Sequence, residues 1–202
     1  MALWLAPHPL VLASKSPARR SLLGAAGIPI DVRPADLDER RLEAGVAAKA
    51  PDAVALLLAR EKARSVASFH RGRLVLGADQ TLALGARRFA KPSDRAAARE
   101  QLRALSGRTH SLHSALVFAQ DANTLFEHVG TARLTMRTFS DRFLDAYLDA
   151  VGSVATESVG AYQIEGLGVQ LLERVEGDYF TVLGLPLMPT LDFLRQRGCL
   201  RQ

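Results

Sequence analysis

The sequence contains one cysteine, Cys199, among its 202 residues. A single cysteine excludes an intrachain disulfide and any metal site built from several thiolates. Because proteins of oxidising compartments usually carry several cysteines, we expect a cytoplasmic protein. The apolar start MALWLAPHPLVLA lacks a basic n-region and is interrupted by Pro7 and Pro9, and no later apolar run reaches the roughly 18 residues of a membrane span. We therefore expect neither a signal peptide nor a membrane partner.

Aromatic residues and long basic runs are also scarce. Aromatic residues make up 6% of the chain, and the net charge of +5 comes from 26 Lys and Arg residues that are scattered among 21 Asp and Glu residues. Nucleic-acid surfaces usually combine a basic stripe with aromatic side chains that stack on bases, so we expect no nucleic-acid partner. A nucleic-acid-binding module stays open as an alternative because of the basic excess. That excess also fits a small phosphorylated ligand.

The common nucleotide-binding and hydrolase motifs are missing as well. The chain has no GxxxxGK[ST] loop, no GxGxxG after a strand, no GxSxG and no HExxH. These absences exclude a P-loop enzyme and a Rossmann dinucleotide-binding domain, and they leave serine and zinc hydrolysis without support.

Strand-like and helix-like patterns alternate along the chain. With 48% hydrophobic residues, the chain is long enough for one domain with a substantial core. Strands are predicted at 9–13, at the start of 28–40, at 74–84, and on both sides of a hairpin turn at 121–123. Helices are predicted from Pro17 to the glycines at 24–27, and at 51–69, 93–105, 140–151 and from about Pro189. This order predicts an α/β fold with a mixed sheet.

The segment VLASKSPARRSLL, residues 11–23, passes from a strand into a helix. Ser16 is the predicted N-cap and Pro17 the first helical residue. A helix N-terminus attracts anions, and Ser16 and Arg19 are three residues apart, so both can face one phosphate. The alternative is a capped helix start without a ligand. The arginines favour the phosphate, because cations at a helix N-terminus are unfavourable unless an anion neutralises them.

Asp79 and Lys62 are charged residues at apolar positions. Asp79 interrupts the predicted strand 74–84, where a carboxylate is costly unless it meets a cation, binds a metal or takes part in chemistry. The alternative is an aspartate at a strand end that accepts from loop amides. Lys62 follows Val54 and Leu58 on the apolar face of a helix. It either extends along that face to solvent or enters a pocket with an acidic partner.

Three further residues give weaker signals. Lys91 precedes a helix start, where a phosphate could bind. Glu39 ends the acidic stretch 36–39 and offers an oxygen ligand to Mg²⁺ or Mn²⁺, although an exposed acidic loop explains it equally well. Glu165 lies in the glycine-rich segment GAYQIEGLG.

Several segments together resemble the Maf family of nucleoside triphosphate pyrophosphatases. They are, in order, LASKSPARRSLL, the DE of LDER, AREKA, LGADQTL, KP followed by LRALSGRTH, VGAYQIEGLG, and GDYFTVLGLPL. The resemblance implies hydrolysis between the α and β phosphates of a nucleoside triphosphate, a divalent Mg²⁺ or Mn²⁺ cofactor, and a homodimer. It also implies an elongated α/β fold of one domain, with a cleft between two lobes. The alternative that the family offers is a nucleotide-binding regulator of septum formation without essential catalysis.

The resemblance also assigns roles to residues. The predicted substrate-binding residues are Ser14, Ser16, Arg19, Arg20, Gln80 and Glu165. The predicted catalytic residues are Asp79, Lys62 and Lys91, with Asp79 as general base. The predicted metal ligands are Glu39 and Asp79. The pair Asp79-Gln80, with Glu165, resembles an Asp-Gln branch of the family that is associated with nucleotides such as 7-methyl-GTP, so we expect Gln80 and Glu165 to discriminate between bases.

Overall fold

The computed structural model describes residues 3–46, 50–121 and 123–202, and in these ranges the chain forms a mixed α/β fold. The strands are β1 (Leu10–Leu12), β2 (Ile30–Val32), β3 (Val75–Leu84), β4 (Arg87–Phe89), β5 (Thr109–Gln120), β6 (Asn123–Met136) and β7 (Leu172–Glu176). The α-helices are α1 (Pro17–Ala25), α2 (Glu39–Ala44), α3 (Pro51–Ala67), α4 (Arg95–Leu105), α5 (Asp141–Val151), α6 (Tyr179–Val182) and α7 (Leu187–Gln196). Short 3₁₀ helices span Gly152–Thr156, Val159–Ala161 and Leu167–Leu171.

The strands form one sheet in the order β2-β1-β3-β5-β6-β7, with β4 paired to β3. β1 is parallel to both β2 and β3. β4 is antiparallel to β3, and β7 is antiparallel to β6. The predicted mixed sheet is therefore confirmed. No helix in the described part of the chain is long and apolar enough to cross a membrane.

The first of two compact units comprises Met1–Gln80, His113–Gly130 and Asp178–Gln202. One side of its core consists of large side chains, and Phe118 stacks on Phe193 with ring centroids 4.4 Å apart. The other side consists mainly of alanines and valines, including Ala59 and Ala63 of α3. These small residues bring α3 close to the sheet, and this contact positions the candidate site described below.

The second unit comprises Thr81–Leu112 and Thr131–Gly177. Its helices α4 and α5 are linked by ion pairs, including Arg99 Nε to Asp145 Oδ1 at 2.7 Å. A buried histidine, His110 on β5, lies with its Nε2 2.7 Å from the Tyr162 hydroxyl.

The sequence patterns missed four short elements: α2, β4, α6 and β7. Elements of three to six residues do not complete a periodic pattern, so their sequences are ambiguous. The predicted helix start at Ser93 is also wrong. Asp94 is the N-cap of α4, with its Oδ1 accepting from the Ala97 N–H at 2.8 Å, and Ser93 donates to the other oxygen of Asp94. Ala122, in the predicted hairpin turn, lies outside the described residues.

Candidate functional site

The segment after β1 forms a compact cluster around Arg19. Ser16 is the N-cap of α1, as predicted, and its Oγ accepts from the Arg19 N–H at 3.4 Å. Pro17 fits the first helical position because its missing N–H would have no helical partner there. The Ser14 hydroxyl accepts from the Ser16 N–H at 3.2 Å and from Arg19 Nη1 at 3.0 Å. The local sequence thus fixes both the backbone and the Arg19 side chain.

The guanidinium of Arg19 is buried and held on several sides. Its Nη1 also donates to the carbonyl oxygen of Ala78 at 2.9 Å, and its Nε donates to that of Gly184 at 2.8 Å. The residue is 8% exposed, and burial lowers the pKa of its guanidinium, although arginine stays charged in proteins. Among the described residues, none accepts a hydrogen bond from Nη2. Arg19 is therefore a preformed cation with one amine left for a ligand, whereas Arg20 is exposed on α1.

Lys62 of α3 lies between two carboxylates. Its Nζ is 2.6 Å from Asp79 Oδ1 and 3.0 Å from Glu39 Oε1. Lys62 and Asp79 are 9% and 7% exposed, whereas Glu39, the first residue of α2, keeps about half of its side chain in solvent. Of the two sequence interpretations of Lys62, the pocket with an acidic partner is confirmed, and the extension to solvent is wrong.

Gly77 allows this pairing because it lets α3 approach β3 closely. A Cβ at Gly77 would collide with the Ala59 carbonyl oxygen and would lie 2.6 Å from the Ala63 backbone nitrogen. Gly77 and Asp79 are two residues apart on a strand, so they face the same side of the sheet. The close approach of α3 at Gly77 therefore places Lys62 against Asp79.

The electrostatics of Asp79 combine burial with nearby cations. Burial raises the pKa of the Asp79 carboxyl, and this effect outweighs the opposite influence of Lys62 and Arg19. A carboxylate with a raised pKa is a stronger base than a solvated one. The arrangement can bind a polyanion through its cations and accept a proton at Asp79.

Gln80, the next residue on β3, faces the opposite side of the sheet from Asp79. Its Nε2 donates to Ser114 Oγ at 2.9 Å, and to the carbonyl oxygens of Thr181 and Val182, each at 3.1 Å. Ser114 Oγ in turn donates to the Thr181 carbonyl oxygen at 2.7 Å. Gln80 therefore joins β3 to α6 within the first unit.

The sequence model of Maf-like proteins matches residues 9–197. The chain belongs to the Maf-like protein family. It is 58% identical to the nucleoside triphosphate pyrophosphatase of Rhodopseudomonas palustris (strain ATCC BAA-98 / CGA009), over 99% of each chain. It is 51% identical to the 7-methyl-GTP pyrophosphatase of Rhizobium meliloti (strain 1021), over 95% of this chain and 97% of the relative. A dITP/XTP pyrophosphatase structure from Mycobacterium abscessus covers 95% of each chain, but its TM-score of 0.42 and 15% identity are too low to support an inference.

The structure of this Maf-like protein brings most of the predicted site residues into one unit. Ser14, Ser16 and Arg19 are linked there by hydrogen bonds, and Lys62 forms ion pairs with Glu39 and Asp79. Lys91 and Glu165 belong to the second unit, where both are exposed. Lys91 follows β4, and Glu165 lies between two 3₁₀ helices. Their roles, and that of Arg20, stay predictions from the family resemblance.

The carboxylates fit a divalent cation that is shared with a substrate. Glu39 and Asp79 both contact Lys62 Nζ, so their oxygens lie near one point, and Mg²⁺ is commonly bound through one or two carboxylates together with substrate phosphates. In the described part of the chain, no group of three or more His, Cys, Asp or Glu residues could hold a metal ion.

Sequence reasoning missed three residues around Arg19 and Gln80: Ser114, Thr181 and Gly184. Ser114 and Thr181 are 0% and 2% exposed, which is unusual for hydroxyl side chains, but neither stands in a recognisable motif. Gly184 has a φ of +95°, and its position in the turn LGLP is the one local signal that could have indicated a required glycine.

Proposed function

We propose that this Maf-like protein is a nucleoside triphosphate pyrophosphatase. It hydrolyses the bond between the α and β phosphates and releases a nucleoside monophosphate and pyrophosphate. The observation that carries the proposal is the buried Lys62–Asp79 pair beside the preformed Arg19 guanidinium. A site that only bound a polyanion would gain little from a buried carboxylate among its cations. The name of the Rhodopseudomonas palustris relative, at 58% identity, supports the same activity.

The first task of the site is to bind a highly charged triphosphate. The free Nη2 of Arg19 donates to a phosphate oxygen, and the positive end of the α1 helix dipole adds to the attraction for the anion. Because three of its hydrogen bonds already hold Arg19, binding requires little further ordering of that side chain. Lys62 supplies a second cation, which turns from its carboxylate partners toward the substrate.

The second task is to activate a water molecule for attack on the α phosphorus. A water molecule attacks phosphorus, its proton passes to Asp79, and the bond to the bridging oxygen breaks, so the electron pair leaves with pyrophosphate. Arg19 and Lys62 stabilise the charge that develops on the phosphate oxygens. Lys91 is proposed to neutralise the leaving group. The proton is released when Asp79 returns to its carboxylate form.

Glu39 and Asp79 would hold a divalent cation, Mg²⁺ or Mn²⁺. When bound, the cation would neutralise phosphate charge and lower the pKa of a coordinated water.

The finer features of the proposal rest on the family resemblance. A modified nucleotide such as 7-methyl-GTP fits the Asp79-Gln80 pair, and the Rhizobium meliloti relative is named for that substrate. Removal of such a modified nucleotide from the nucleotide pool would be a house-cleaning role in the cytoplasm. A homodimer is the proposed assembly. Analytical ultracentrifugation at micromolar concentration tests the assembly, since a monomer would contradict it.

The experiment is a pyrophosphate-release screen over standard and methylated nucleoside triphosphates, with Mg²⁺, with Mn²⁺ and with EDTA. We expect release from at least one nucleotide in the presence of a divalent cation and none in EDTA. Failure to release pyrophosphate from any nucleotide would overturn the enzyme proposal. Asp31→Asn, which changes an aspartate on β2, is a matched control for changes at Asp79.

A further inference from the structure

The amino group of the Gln80 side chain donates only to acceptors of the protein itself. The neighbours of its Nε2 are two backbone carbonyl oxygens and the Ser114 hydroxyl, whose own hydrogen points to the Thr181 carbonyl oxygen. All three therefore act as acceptors toward Gln80, so the amino end of its amide, and not the carbonyl end, must face them. The orientation of the amide is fixed, and the amino group has no donor left for a nucleobase.

These acceptors lie at the end of α6. The last carbonyl groups of a helix lack partners within the helix, and Gln80 donates to those of Thr181 and Val182. The Thr181 carbonyl oxygen also accepts from the N–H of Gly184 at 3.1 Å, which closes the turn that follows the helix. Asp178 holds the other end, since its carboxylate accepts from both the N–H and the hydroxyl of Thr181.

The turn after α6 is also what holds Arg19. The carbonyl oxygen of Gly184 accepts from Arg19 Nε at 2.8 Å. A Cβ built on Gly184 would lie 3.7 Å from both Arg19 Nη2 and Gln80 Oε1, so both side chains border this glycine. A continuous chain of contacts thus runs from Gln80 and Ser114 through Thr181 to Gly184 and Arg19.

We propose that Gln80, with Ser114, is a positioning residue: it fixes the turn after α6 so that the Gly184 carbonyl orients the Arg19 guanidinium toward phosphate. The inference deepens the proposed function and rests on it for the identity of the anion. It assigns the amino group of Gln80 a role that does not depend on the base. Loss of the hydrogen bonds from Gln80 should weaken binding of the phosphate chain, whatever base is attached.

The test compares Gln80→Met, which keeps side-chain length but removes the donors, with the milder Ser114→Ala. Inorganic tripolyphosphate is the probe because it has no base, and its affinity is measured by calorimetry at fixed Mg²⁺. We expect Gln80→Met to weaken tripolyphosphate binding on the order of 10-fold or more, because small misplacements of a positioned group are costly. Ser114→Ala should act in the same direction by a smaller factor. In turnover assays, Gln80→Met should lower kcat/KM for every nucleotide by one common factor.

The double variant with Arg19→Lys separates positioning from general structural damage. Lysine lacks the Nε donor that contacts Gly184, so Gln80→Met should cause little additional loss of tripolyphosphate affinity in that background. A structural role would give the same loss in both backgrounds. The matched control is Gln120→Met, which removes another glutamine amide bonded to a backbone carbonyl, that of Gly72, and should leave affinity unchanged.

The Nε–H signal of Arg19 in NMR spectra, assigned with Arg19→Lys, gives a readout without substrate. Its hydrogen exchange should be slow in the wild type and faster in Gln80→Met. Unchanged affinity and exchange in Gln80→Met would overturn the inference, and so would a changed ranking of nucleotides with unchanged tripolyphosphate affinity. Absence of tripolyphosphate binding to the wild type would also overturn it. A wild type that binds tripolyphosphate but releases no pyrophosphate would contradict the proposed function alone.

Discussion

Lys62 Nζ lies 2.6 Å from Asp79 Oδ1, and neither residue is more than 9% exposed. Breaking a buried ion pair by removing one partner is costly, because the remaining charge is left without compensation. Folding alone does not require such a pair at this position, since apolar residues of similar volume often pack as well. The pair is therefore best explained by chemistry that needs both a base and a cation in one place.

Replacement of Asp79 by asparagine should abolish most of the turnover. Asparagine keeps the shape of the side chain but cannot accept the proton of the attacking water, and it is a poor ligand for a cation. We expect kcat to fall at least ~100-fold, the usual scale for loss of a general base. Pyrophosphate release by Asp79→Asn, compared with Asp31→Asn, measures the effect. Turnover near the wild-type rate would remove Asp79 from the mechanism.

The acid limb of the pH–rate profile should reflect the raised pKa of Asp79. Burial moves this pKa above the ordinary value of 3.8, and a general base is active only when it is deprotonated. As the pH falls, kcat/KM should therefore decline before the pH reaches 3.8. The profile is measured on samples whose circular dichroism shows the native fold at each pH. An acid limb centred at or below 3.8 would contradict the assignment.

Gly77→Ala should disturb the site through the backbone. The added methyl group collides with the backbone of α3 at Ala59 and Ala63, so α3 must move away from β3 and carry Lys62 with it. We expect a loss of about 1–3 kcal/mol in unfolding free energy, typical of overpacking, together with reduced turnover. Denaturant unfolding and pyrophosphate release provide the two measurements.

Gly24→Ala is the control for that substitution. Gly24 lies in α1 and a Cβ there meets nothing within 4 Å, so alanine should leave stability unchanged or raise it by up to about 1 kcal/mol. Equal destabilisation by the two alanine variants would show that close packing at Gly77 is not the cause.

The parts of the site that the sequence predicted are those with local signals. Ser16 and Pro17 identify the start of α1, because capping depends on residues next to one another. Asp79 stands out as a charge within an apolar strand, and Lys62 as a charge on an apolar helix face. The Maf-like family, once identified from the segments around these residues, was confirmed by the match over residues 9–197.

The parts that the sequence did not predict depend on contacts between distant residues. Gln80 and Thr181 are 101 positions apart, and Arg19 and Gly184 are 165 apart. No local pattern encodes such a pair, because a buried serine or threonine has the same sequence signature as an exposed one. The predicted start of α4 was wrong for a related reason. Ser93 and Asp94 are both good N-cap residues, and side-chain geometry decides between them.

Acid should destabilise the second unit through His110. This residue is 1% exposed, and burial lowers its pKa from 6.5 to about 4. The His110 imidazole binds a proton near pH 6.5 in the unfolded chain but only near pH 4 in the folded one. Its contribution to the free energy of unfolding is therefore complete above pH 6.5 and is lost as the pH falls toward 4. The loss attributable to His110 is about 3 kcal/mol at the acid end of this window, from the standard free energy per pKa unit.

Denaturant unfolding at several pH values tests this expectation. The free energy of unfolding should depend less steeply on pH in His110→Asn than in the wild type. The control His8→Asn, which changes an exposed histidine, should follow the wild type. Parallel pH dependences of wild type and His110→Asn would mean that the buried imidazole does not titrate as its surroundings require.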